Sequence, residues 1–517
     1  MHKASHRAAR IVERRRIRNA GMTRYNRAHS VEAISGKRWL SMASLTSISA
    51  TAMARLVRQK EISPVELLQA HLERIEQLDP ALNAFVEVRH DEAQRDAAAA
   101  EAAVMDGETK PLLGVPVTIK SCIDVAGLRC EAGSRLRDGF VPAADAPLVA
   151  RLKAAGAIIL GNTNTPEFLM AYETDNSLCG RTCNPWDLEC TSGGSSGGES
   201  AAIAAGMSAA GVGSDGGGSI RVPAHFTGIC GLKPTPGRVP ATGHFPMCAG
   251  PFAYIGVVGP MARTLADLRC MLEVMAGSDA GDPMAADYPL LRVADSELRD
   301  LRVGFFTSDG EIAPTAETVA AVEFAAVTLR DAGLQPEPFR PAGLDHVREL
   351  WETLFVRAGG MLVQAAARGR EGDLSPMLRG FLAAVPARSP LTAEVLLQTL
   401  LDRDLVRARF LAAMEKYPIL LAPVSTGPAF RHGEGGWTKE DPANYLRTMR
   451  YSQWFNLLGN PAAVVPAGCS PEGVPIGVQI IGRPYEESLV LRVAELIEQR
   501  AGWKQPPLLW TQRQPLR

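Results

Sequence analysis

Two glycine–serine clusters, separated by a segment of small residues, constrain this chain more than any other feature. The first cluster reads GGSSGG at 193–198 and the second reads GGGS at 216–219. Alanine-rich residues 200–210 lie between them and predict a tightly packed helix, because alanine has the highest helix propensity. Glycines leave backbone N–H groups without side-chain cover, which suits a bound anion or a developing oxyanion. The serine hydroxyls could act as nucleophile or proton carrier.

A serine nucleophile needs a base, and the sequence offers a lysine rather than a nearby histidine. Residues 115–119 have the pattern of an apolar strand that leads into Lys120. A lysine at this place is expected to be buried, and burial lowers the pKa of its ammonium group. A neutral Lys120 can then take the proton of a serine. No spacing ties His225, His244 or His432 to a serine, so these are expected to be ordinary or pocket-lining residues.

Three motifs in this order resemble the amidase signature family. They read GVPVTIK at 114–120, GGSSGG at 193–198 and GSDGGGSIRVP at 213–223. The lysine lies 75 residues before the serine at 195, which lies 24 residues before the serine at 219, in agreement with the layout of that family. The resemblance extends from about residue 48 to residue 498 and is densest toward the two ends of that range.

The resemblance implies a catalytic triad of two serines and a lysine. Ser219 is then the nucleophile, Ser195 is a bridging serine on a cis peptide bond, and Lys120 is the base. The N–H groups for the oxyanion come from the glycine-rich turn, namely from Gly216, Gly217, Gly218 and Ser219. Residues that support the turn by hydrogen bonds and ion pairing are Ser214, Asp215 and Arg221. No metal or organic cofactor is expected.

Two other interpretations of the clusters fail on local pattern. The GGSSG segment matches the nucleophile elbow of α/β-hydrolases, but that turn needs an apolar strand before it, and residues 187–192 are polar and turn-like. The GVGSDG segment matches a dinucleotide-binding motif, which requires an acidic residue about twenty positions later. Residues 216–264 contain neither Asp nor Glu, so this interpretation is rejected.

Alternating strand and helix patterns predict an α/β fold with a large mixed sheet between helices, in a single large domain with a helical amino-terminal layer. This is also the fold that the resemblance implies. Helices are predicted at 50–59, 65–78, 91–105, 148–155 and 316–332, and strands at 115–119, 157–160, 301–306 and 419–423. The catalytic domain is expected at 48–498, with a tail at 499–517. Its segment 284–440 is expected to vary among relatives and to shape the substrate pocket.

Composition limits the remaining possibilities. The chain has 517 residues and a net charge of −1, which gives no case for nucleic acid or membrane as an obligate partner. Nine cysteines are an odd number and favour free thiols in a reducing, cytoplasmic setting. Cys179, Cys183 and Cys190 are clustered, but their spacing fits a zinc site poorly. Residues 1–41 hold eleven basic and two acidic side chains and are predicted to be a disordered leader. The alternatives are translation assigned from too early a start and, less favoured, a mitochondrial presequence.

The sequence therefore predicts an amidase that converts a carboxylic acid amide to the acid and ammonia or an amine through an acyl-enzyme on Ser219. The expected partners are a small-molecule amide substrate and, in a homodimer, a second copy of the chain, with no nucleic acid and no membrane. The alternative is the glutaminase subunit of a tRNA-dependent amidotransferase, which works only in a complex. A third alternative, a non-catalytic binding protein on the same scaffold, is disfavoured because all three triad positions are filled.

Overall fold

In the described part of the chain, eleven strands form one mixed β-sheet, and two pairs of short strands lie outside it. The structure is a computed structural model that describes residues 45–384, 391–434 and 442–507, all within one compact unit. In these ranges the strands are β1 Phe85–Val88, β2 Pro116–Lys120, β3 Ile158–Thr163, β4 Asp175–Asn176, β5 Gly180–Arg181, β6 Cys183–Asn184, β7 Asp187–Thr191, β8 Ala210–Asp215, β9 Cys230–Lys233, β10 Val257–Ala262, β11 Arg302–Phe305, β12 Gln335–Pro338, β13 Ile419–Pro423, β14 Ala462–Cys469 and β15 Pro475–Ile481.

The strand order brings the lysine motif and the second serine motif together. Across the sheet the order is β1-β3-β2-β8-β10-β9-β14-β15-β13-β11-β12. Strand β2 runs parallel to both β3 and β8, and Ile119 of β2 lies opposite Val212 of β8. Because parallel strands end at the same edge of a sheet, Lys120 at the end of β2 comes beside Ser214 near the end of β8.

Helices cover both faces of this sheet. Their bounds are α1 Ala50–Arg58, α2 Pro64–Leu82, α3 His90–Met105, α4 Pro147–Ala154, α5 Gly197–Ala204, α6 Arg221–Thr227, α7 Leu265–Met275, α8 Asp295–Leu298, α9 Ala316–Asp331, α10 Leu344–Trp351, α11 Ala358–Ala367, α12 Pro376–Ala384, α13 Ala393–Lys416, α14 Pro442–Thr448, α15 Arg450–Leu457 and α16 Glu487–Ala501. A π-helical segment, Glu352–Arg357, joins α10 to α11, and short 3₁₀ turns lie at Arg135–Arg137, Glu167–Leu169, Gly250–Tyr254 and Glu371–Asp373. Over the described residues, no helix is long and apolar enough to cross a membrane.

The amino-terminal helices begin where the sequence provides caps. Helix α2 starts with a capping box. The Ser63 side chain accepts from a backbone N–H of the first turn, and the Glu66 side chain accepts from the backbone N–H of Ser63. Pro64 occupies the first position of the helix. The first N–H groups of α1 donate to the carboxylate of Asp267, which lies in α7. These contacts fix the predicted helical layer against the rest of the domain.

Side-chain alternation along β2 separates the hydrophobic core from the site. Val117 and Ile119 point into the core on one face, together with apolar side chains of α1, α4 and α7. Thr118 and Lys120 point to the opposite face and are also buried. Successive strand side chains point to opposite faces, so the core-forming strand also presents its lysine to the other layer.

The predicted α/β fold with a mixed sheet between helices is confirmed, and two local predictions are wrong. The helix predicted at 200–210 is Gly197–Ala204, and residues from Ala210 onward form β8. Gly206 has a φ of +73°, a left-handed conformation that favours glycine and cannot continue an α-helix, so the helical segment ends before it. The segment at 187–192, predicted to be turn-like, contains β7, which pairs with β6 in a small antiparallel ribbon. The predicted leader at 1–41 lies outside the described residues.

Candidate active site

Lys120 is fully buried, as predicted, and contacts two serine hydroxyls. Its Nζ donates to Ser195 Oγ at 2.6 Å and to Ser214 Oγ at 3.1 Å. Burial lowers the pKa of Lys120 to about 8, although the anionic groups around it act in the opposite direction. A substantial fraction of Lys120 can therefore be neutral near pH 8 and able to accept a proton.

Ser195 lies in a tightly enclosed loop before α5. The peptide bond between Gly194 and Ser195 is cis, which is the geometry that the family resemblance implied. A Cβ atom at Gly194 would lie 2.7 Å from the carbonyl oxygen of Ala171, so only glycine fits there without displacement. Thr165 Oγ1 donates to the carbonyl oxygen of Ser195 at 2.8 Å and fixes the loop from the other side.

The turn that carries Ser219 is held by two aromatic side chains from distant segments. Trp351 Nε1 donates to the carbonyl oxygen of Gly216 at 2.8 Å, and the Tyr172 hydroxyl donates to that of Gly217 at 2.9 Å. The N–H of Gly218 donates to Asp215 Oδ1 at 2.7 Å. The carbonyl groups of the turn are therefore fixed by side chains from outside it, and its backbone conformation depends on them.

Asp215 and Arg221 form the frame behind this turn. Arg221 donates from Nε to Asp215 Oδ2 at 3.0 Å and from Nη2 to Oδ1 at 3.1 Å, and both side chains are fully buried. Asn456 and Gln479 complete the network by bonding to Asp215 and to Arg221, respectively. Burial raises the pKa of Asp215, but the charge and hydrogen bonds of Arg221 outweigh this and hold the pKa well below its usual value. Asp215 is therefore ionised, and its carboxylate oxygens are already bonded to Arg221 and Asn456.

Glu199 is a second buried carboxyl group near Lys120. It accepts hydrogen bonds from Thr118 Oγ1 of β2 and, at 2.8 Å, from Thr163 Oγ1 of β3. Burial raises the pKa of Glu199 to about 8, against the opposing effects of the threonine hydrogen bonds and of Lys120. The close approach of Glu199 to β8 explains Gly211, where a Cβ would overlap the carboxyl group.

A cavity of about 300 Å³ opens over the two serines. Ser195, Ser214 and Ser219 line it, so the structure brings these predicted residues together at one cavity, and the buried Lys120 contacts Ser195 and Ser214. Its walls are apolar, and the larger side chains among them are Phe168, Met170, Phe252, Ile255, Phe355 and Leu362. Such a cavity can hold a substrate whose acyl group is apolar and exclude water from the reacting atoms.

The three histidines occupy different surroundings. His244 lines the cavity. His225 is buried elsewhere, where its Nδ1 accepts from the N–H of Gly477 at 2.6 Å, and His432 lies beside Glu189. Sequence reasoning missed Tyr172 and Trp351 as supports of the turn. The spacing of Trp351 and Phe355 indicates one helix face, but nothing local in the sequence connects that face to the serine turn.

Two serine hydroxyls that line this cavity contact a buried lysine, on an α/β scaffold with a mixed sheet. Residues 66–491 match the model of the family described as Amidase. The chain therefore belongs to this amidase family, and the resemblance to the amidase signature family is confirmed.

The similar proteins fall into two groups by function. In the first group, the A subunit of glutamyl-tRNA(Gln) amidotransferase from Geotalea daltonii is 36% identical over 474 residues, covering 86% of this chain and 96% of the relative. The solved structure of the corresponding protein from Thermotoga maritima has a TM-score of 0.73 and 26% identity, covering 89% of this chain and 98% of that one. In the second group, a 6-aminohexanoate cyclic dimer hydrolase has a TM-score of 0.80 and 28% identity, with 91% of this chain and all of the other covered.

These similarities correct the prediction about partners. The sequence predicted a small-molecule amide substrate, at most a second copy of the chain, and neither nucleic acid nor membrane. The prediction of a lone small-molecule amide substrate is wrong, because similar proteins carry the name of one component of a glutamyl-tRNA(Gln) amidotransferase and so work with partner proteins. The expectation of no membrane partner stays a prediction. Net charge was a poor guide here, because it says nothing about contacts made by other components of an assembly. The names of these relatives favour the alternative function over the first one.

Proposed function

We propose that this chain hydrolyses the C–N bond of a carboxylic acid amide, with Ser219 as nucleophile, Ser195 as proton relay and Lys120 as base. The observation that carries the proposal is the 2.6 Å contact between Lys120 Nζ and Ser195 Oγ, beneath a cavity that both serines line. A buried amine with a pKa of about 8 that contacts a serine hydroxyl is suited to general-base chemistry.

The proposed reaction proceeds in two halves. Ser219 Oγ attacks the amide carbonyl while its proton passes to Ser195 Oγ, whose own proton passes to Lys120 Nζ. The proton then returns by the same relay to the leaving nitrogen, which departs as ammonia or an amine and leaves an ester on Ser219. A water molecule next loses a proton along the relay, attacks the ester and releases the acid.

The proposed oxyanion donors are fewer than the sequence analysis predicted. Gly216, Gly217 and Ser219 stay in the proposal as N–H donors for the developing oxyanion. Gly218 leaves it, because its N–H is bonded to Asp215. Gly218 instead serves the shape of the turn, where its φ of +122° favours glycine. The proposed supporting roles of Ser214, Asp215 and Arg221 rest on their hydrogen bonds to the base and to the turn.

The first candidate for the biological setting is the amide-hydrolysing component of a tRNA-dependent amidotransferase. It is favoured by relatives at 32–36% identity that bear this name and are matched over nearly their whole length. In this setting the amide is glutamine, and turnover depends on partner proteins.

The second candidate is hydrolysis of amides of apolar acids, which the cavity wall favours. Free glutamine carries an α-ammonium and an α-carboxylate, and both require counter-charges when they are buried. Among the described residues around this cavity, the ionisable ones are Asp215, His244 and Cys248. Asp215 is already bound to Arg221, so the cavity has few counter-charges for a zwitterion. Its apolar walls suit an aryl or aliphatic acyl group.

One assay tests both the chemistry and the setting. Ammonia and amine release is measured from glutamine and from aryl and aliphatic amides, by the full chain alone and with added amidotransferase partner proteins. The variant Ser219→Ala should lose turnover by about four orders of magnitude or more, while Ser177→Ala, at an exposed serine, should not. Glutamine turnover that requires partners supports the first candidate, and turnover of apolar amides supports the second. Full activity in Ser219→Ala would overturn the proposed chemistry.

The domain limits and the location are also part of this proposal. A catalytic domain at 48–498 is supported by the family match to 66–491. A cytoplasmic setting is supported by nine cysteines that are all unpaired within the described residues, as is usual in a reducing compartment.

A further inference from the structure

Lys120 has a second set of contacts that the proposed relay does not use. Besides Ser195, its Nζ donates to Ser214 Oγ at 3.1 Å. Ser214 Oγ in turn lies 3.7 Å from Cys122 Sγ, and Cys122 Sγ lies 3.5 Å from His244 Nε2. The distances are within hydrogen-bond range for sulfur. This chain of groups runs from the buried amine to an imidazole that lines the cavity.

The sequence explains why these groups meet. Cys122 comes two residues after Lys120, where the chain turns at the end of β2. The N–H of Phe245 donates to the carbonyl oxygen of Cys122 at 2.8 Å, so the segment with His244 is fixed against this turn. His244 Nδ1 lies 2.8 Å from the carbonyl oxygen of Pro246, which orients the ring with Nε2 toward the thiol. An Nδ1–H that donates to this carbonyl leaves Nε2 to exchange a proton with Cys122.

We propose that His244 exchanges protons with Lys120 through two intervening side chains. These are Cys122 and Ser214, and the path gives the buried base a connection to the cavity that is separate from the serine relay. This inference rests on the proposed function, because it takes Lys120 as the base. Cys122 and His244 are positioning residues in this scheme, since they act on the reaction through Lys120.

The proton balance of the path closes. Nζ of the lysine ammonium gives a proton to Ser214 Oγ, and the hydroxyl proton of Ser214 passes to the Cys122 thiolate. The imidazolium of His244 releases its Nε2 proton to a water molecule of the cavity, and the freed Nε2 takes the thiol proton in its place. At the end, Lys120 is neutral, the other groups are in their starting states, and one proton has reached the cavity.

The charges on this path also support it. Burial raises the pKa of the Cys122 thiol, but His244 and Lys120 outweigh this and hold the pKa below its usual value. Burial lowers the pKa of His244, but Cys248 and Cys122 outweigh it and raise the pKa well above its usual value. A thiolate–imidazolium pair is the state that these directions favour.

Four other titratable groups face the path. One is Cys130, a buried thiol whose pKa is raised by burial and by the nearby Cys122. Glu199 faces Lys120 from α5, and burial keeps it largely protonated near neutral pH. Asp215 faces Lys120 from β8 and is bound to Arg221. Cys248 faces His244 from the cavity loop, with its Sγ 3.5 Å from Nδ1. Among the charges that raise the pKa of Lys120 against the effect of burial, the Cys122 thiolate therefore has the largest influence.

The test measures the pH profile of kcat/KM for an amide that the full-length wild-type chain hydrolyses. In Cys122→Ala the anion beside Lys120 is absent, so the pKa of Lys120 falls and the acidic limb of the profile should move down by roughly one pH unit. His244→Asn should move the limb in the same direction, because a buried Cys122 without the imidazole stays protonated. The double variant should show no further movement, since both changes remove the same charge.

Controls and a second readout keep the outcome decisive. Cys230→Ala removes an equally buried thiol near Glu498 and should leave the profile unchanged. The ultraviolet absorbance of thiolate near neutral pH should decrease in both Cys122→Ala and His244→Asn, and this readout needs no turnover. An unchanged acidic limb with unchanged thiolate absorbance in folded variants would overturn the inference. In that case loss of activity in Ser219→Ala would still support the proposed hydrolase, so the two results are separable.

Discussion

Asp215 and Arg221 form an ion pair with both side chains completely buried, directly behind the turn that presents Ser219. The pair does more than neutralise two charges, because the same carboxylate accepts from the N–H groups of Gly218 and Ile220. The guanidinium also reaches Gln479 on β15. The conformation of the turn and its attachment to the sheet therefore depend on the same two side chains.

Removing the carboxylate charge should be costly for folding. In Asp215→Asn, Arg221 stays buried without its counter-ion, and breaking a buried pair in this way typically costs about 3–5 kcal/mol. The expected result is a lower free energy of unfolding by that amount, measured by urea denaturation. Glu92→Gln removes a charge from the exposed pair with Arg95 and should leave the free energy of unfolding nearly unchanged, because solvent screens such a pair. Equal effects of the two variants would contradict this view of the Asp215 pair.

The pH dependence of the reaction should report the titration of Lys120. Its pKa is lowered to about 8 by burial, and only the neutral amine accepts the serine proton, so kcat/KM should rise as pH increases through about 8. Lys120→Arg keeps a cation that cannot lose its proton and should reduce kcat by about 10³-fold or more. The assay would cover roughly pH 6 to pH 9. A kcat/KM that does not change over this range would exclude Lys120 as the base.

The sequence pointed to Lys120, Ser195 and Ser219, which the structure brings together, but not to the surroundings that hold them. Lys120 was predictable because an apolar strand leads directly into it, and the serine turn because its glycines are contiguous. Trp351 contacts the turn from 135 residues away, and Tyr172 reaches it from a loop after β3. Contacts of this kind depend on how elements pack, and hydrophobic periodicity shows which face of a helix is apolar without showing what that face covers.

The misplaced helix shows the same limit at short range. Alanine propensity favours a helix through residue 210, and the observed helix stops at Ala204. Strand β8 begins at Ala210 because it pairs with both β2 and β10. Sheet pairing with distant strands outweighs local propensity here.

Gly217 should be intolerant of even one methyl group. A Cβ at this position would lie 2.5 Å from Trp351 Cζ2 and 3.1 Å from the Tyr172 hydroxyl, so Gly217→Ala must displace the turn. Displacing an oxyanion donor typically lowers kcat by about 10²–10³-fold. Gly372→Ala is the matched control, because a Cβ there meets nothing within 4 Å. Steady-state kinetics of the two variants, with thermal unfolding to verify folding, would show the difference; equal kcat values would remove Gly217 from the proposed site.

Glu199 should make the stability of the protein depend on pH. Its pKa is raised to about 8 in the folded state, whereas an exposed glutamate in the unfolded chain titrates near its ordinary value of about 4.3. Between these values the folded state holds a proton that the unfolded state has lost, so the stabilisation present below the lower pKa is lost as pH rises through the higher one.

Glu199→Gln tests this directly, because the amide keeps the shape of the protonated carboxyl group and does not titrate. The contribution of Glu199 to the slope of the unfolding free energy is at most ~1.4 kcal/mol per pH unit within this window, and the variant should lose that contribution. Urea unfolding of wild type and variant at several pH values measures the slope, and Glu61→Gln, at an exposed position, is the control. If wild type and Glu199→Gln follow the same slope, Glu199 is ionised in the folded protein. Glu199 would then be an anion beside Lys120 that raises the pKa of the lysine against the effect of burial, and Glu199→Gln should move the acidic limb of the activity profile to lower pH.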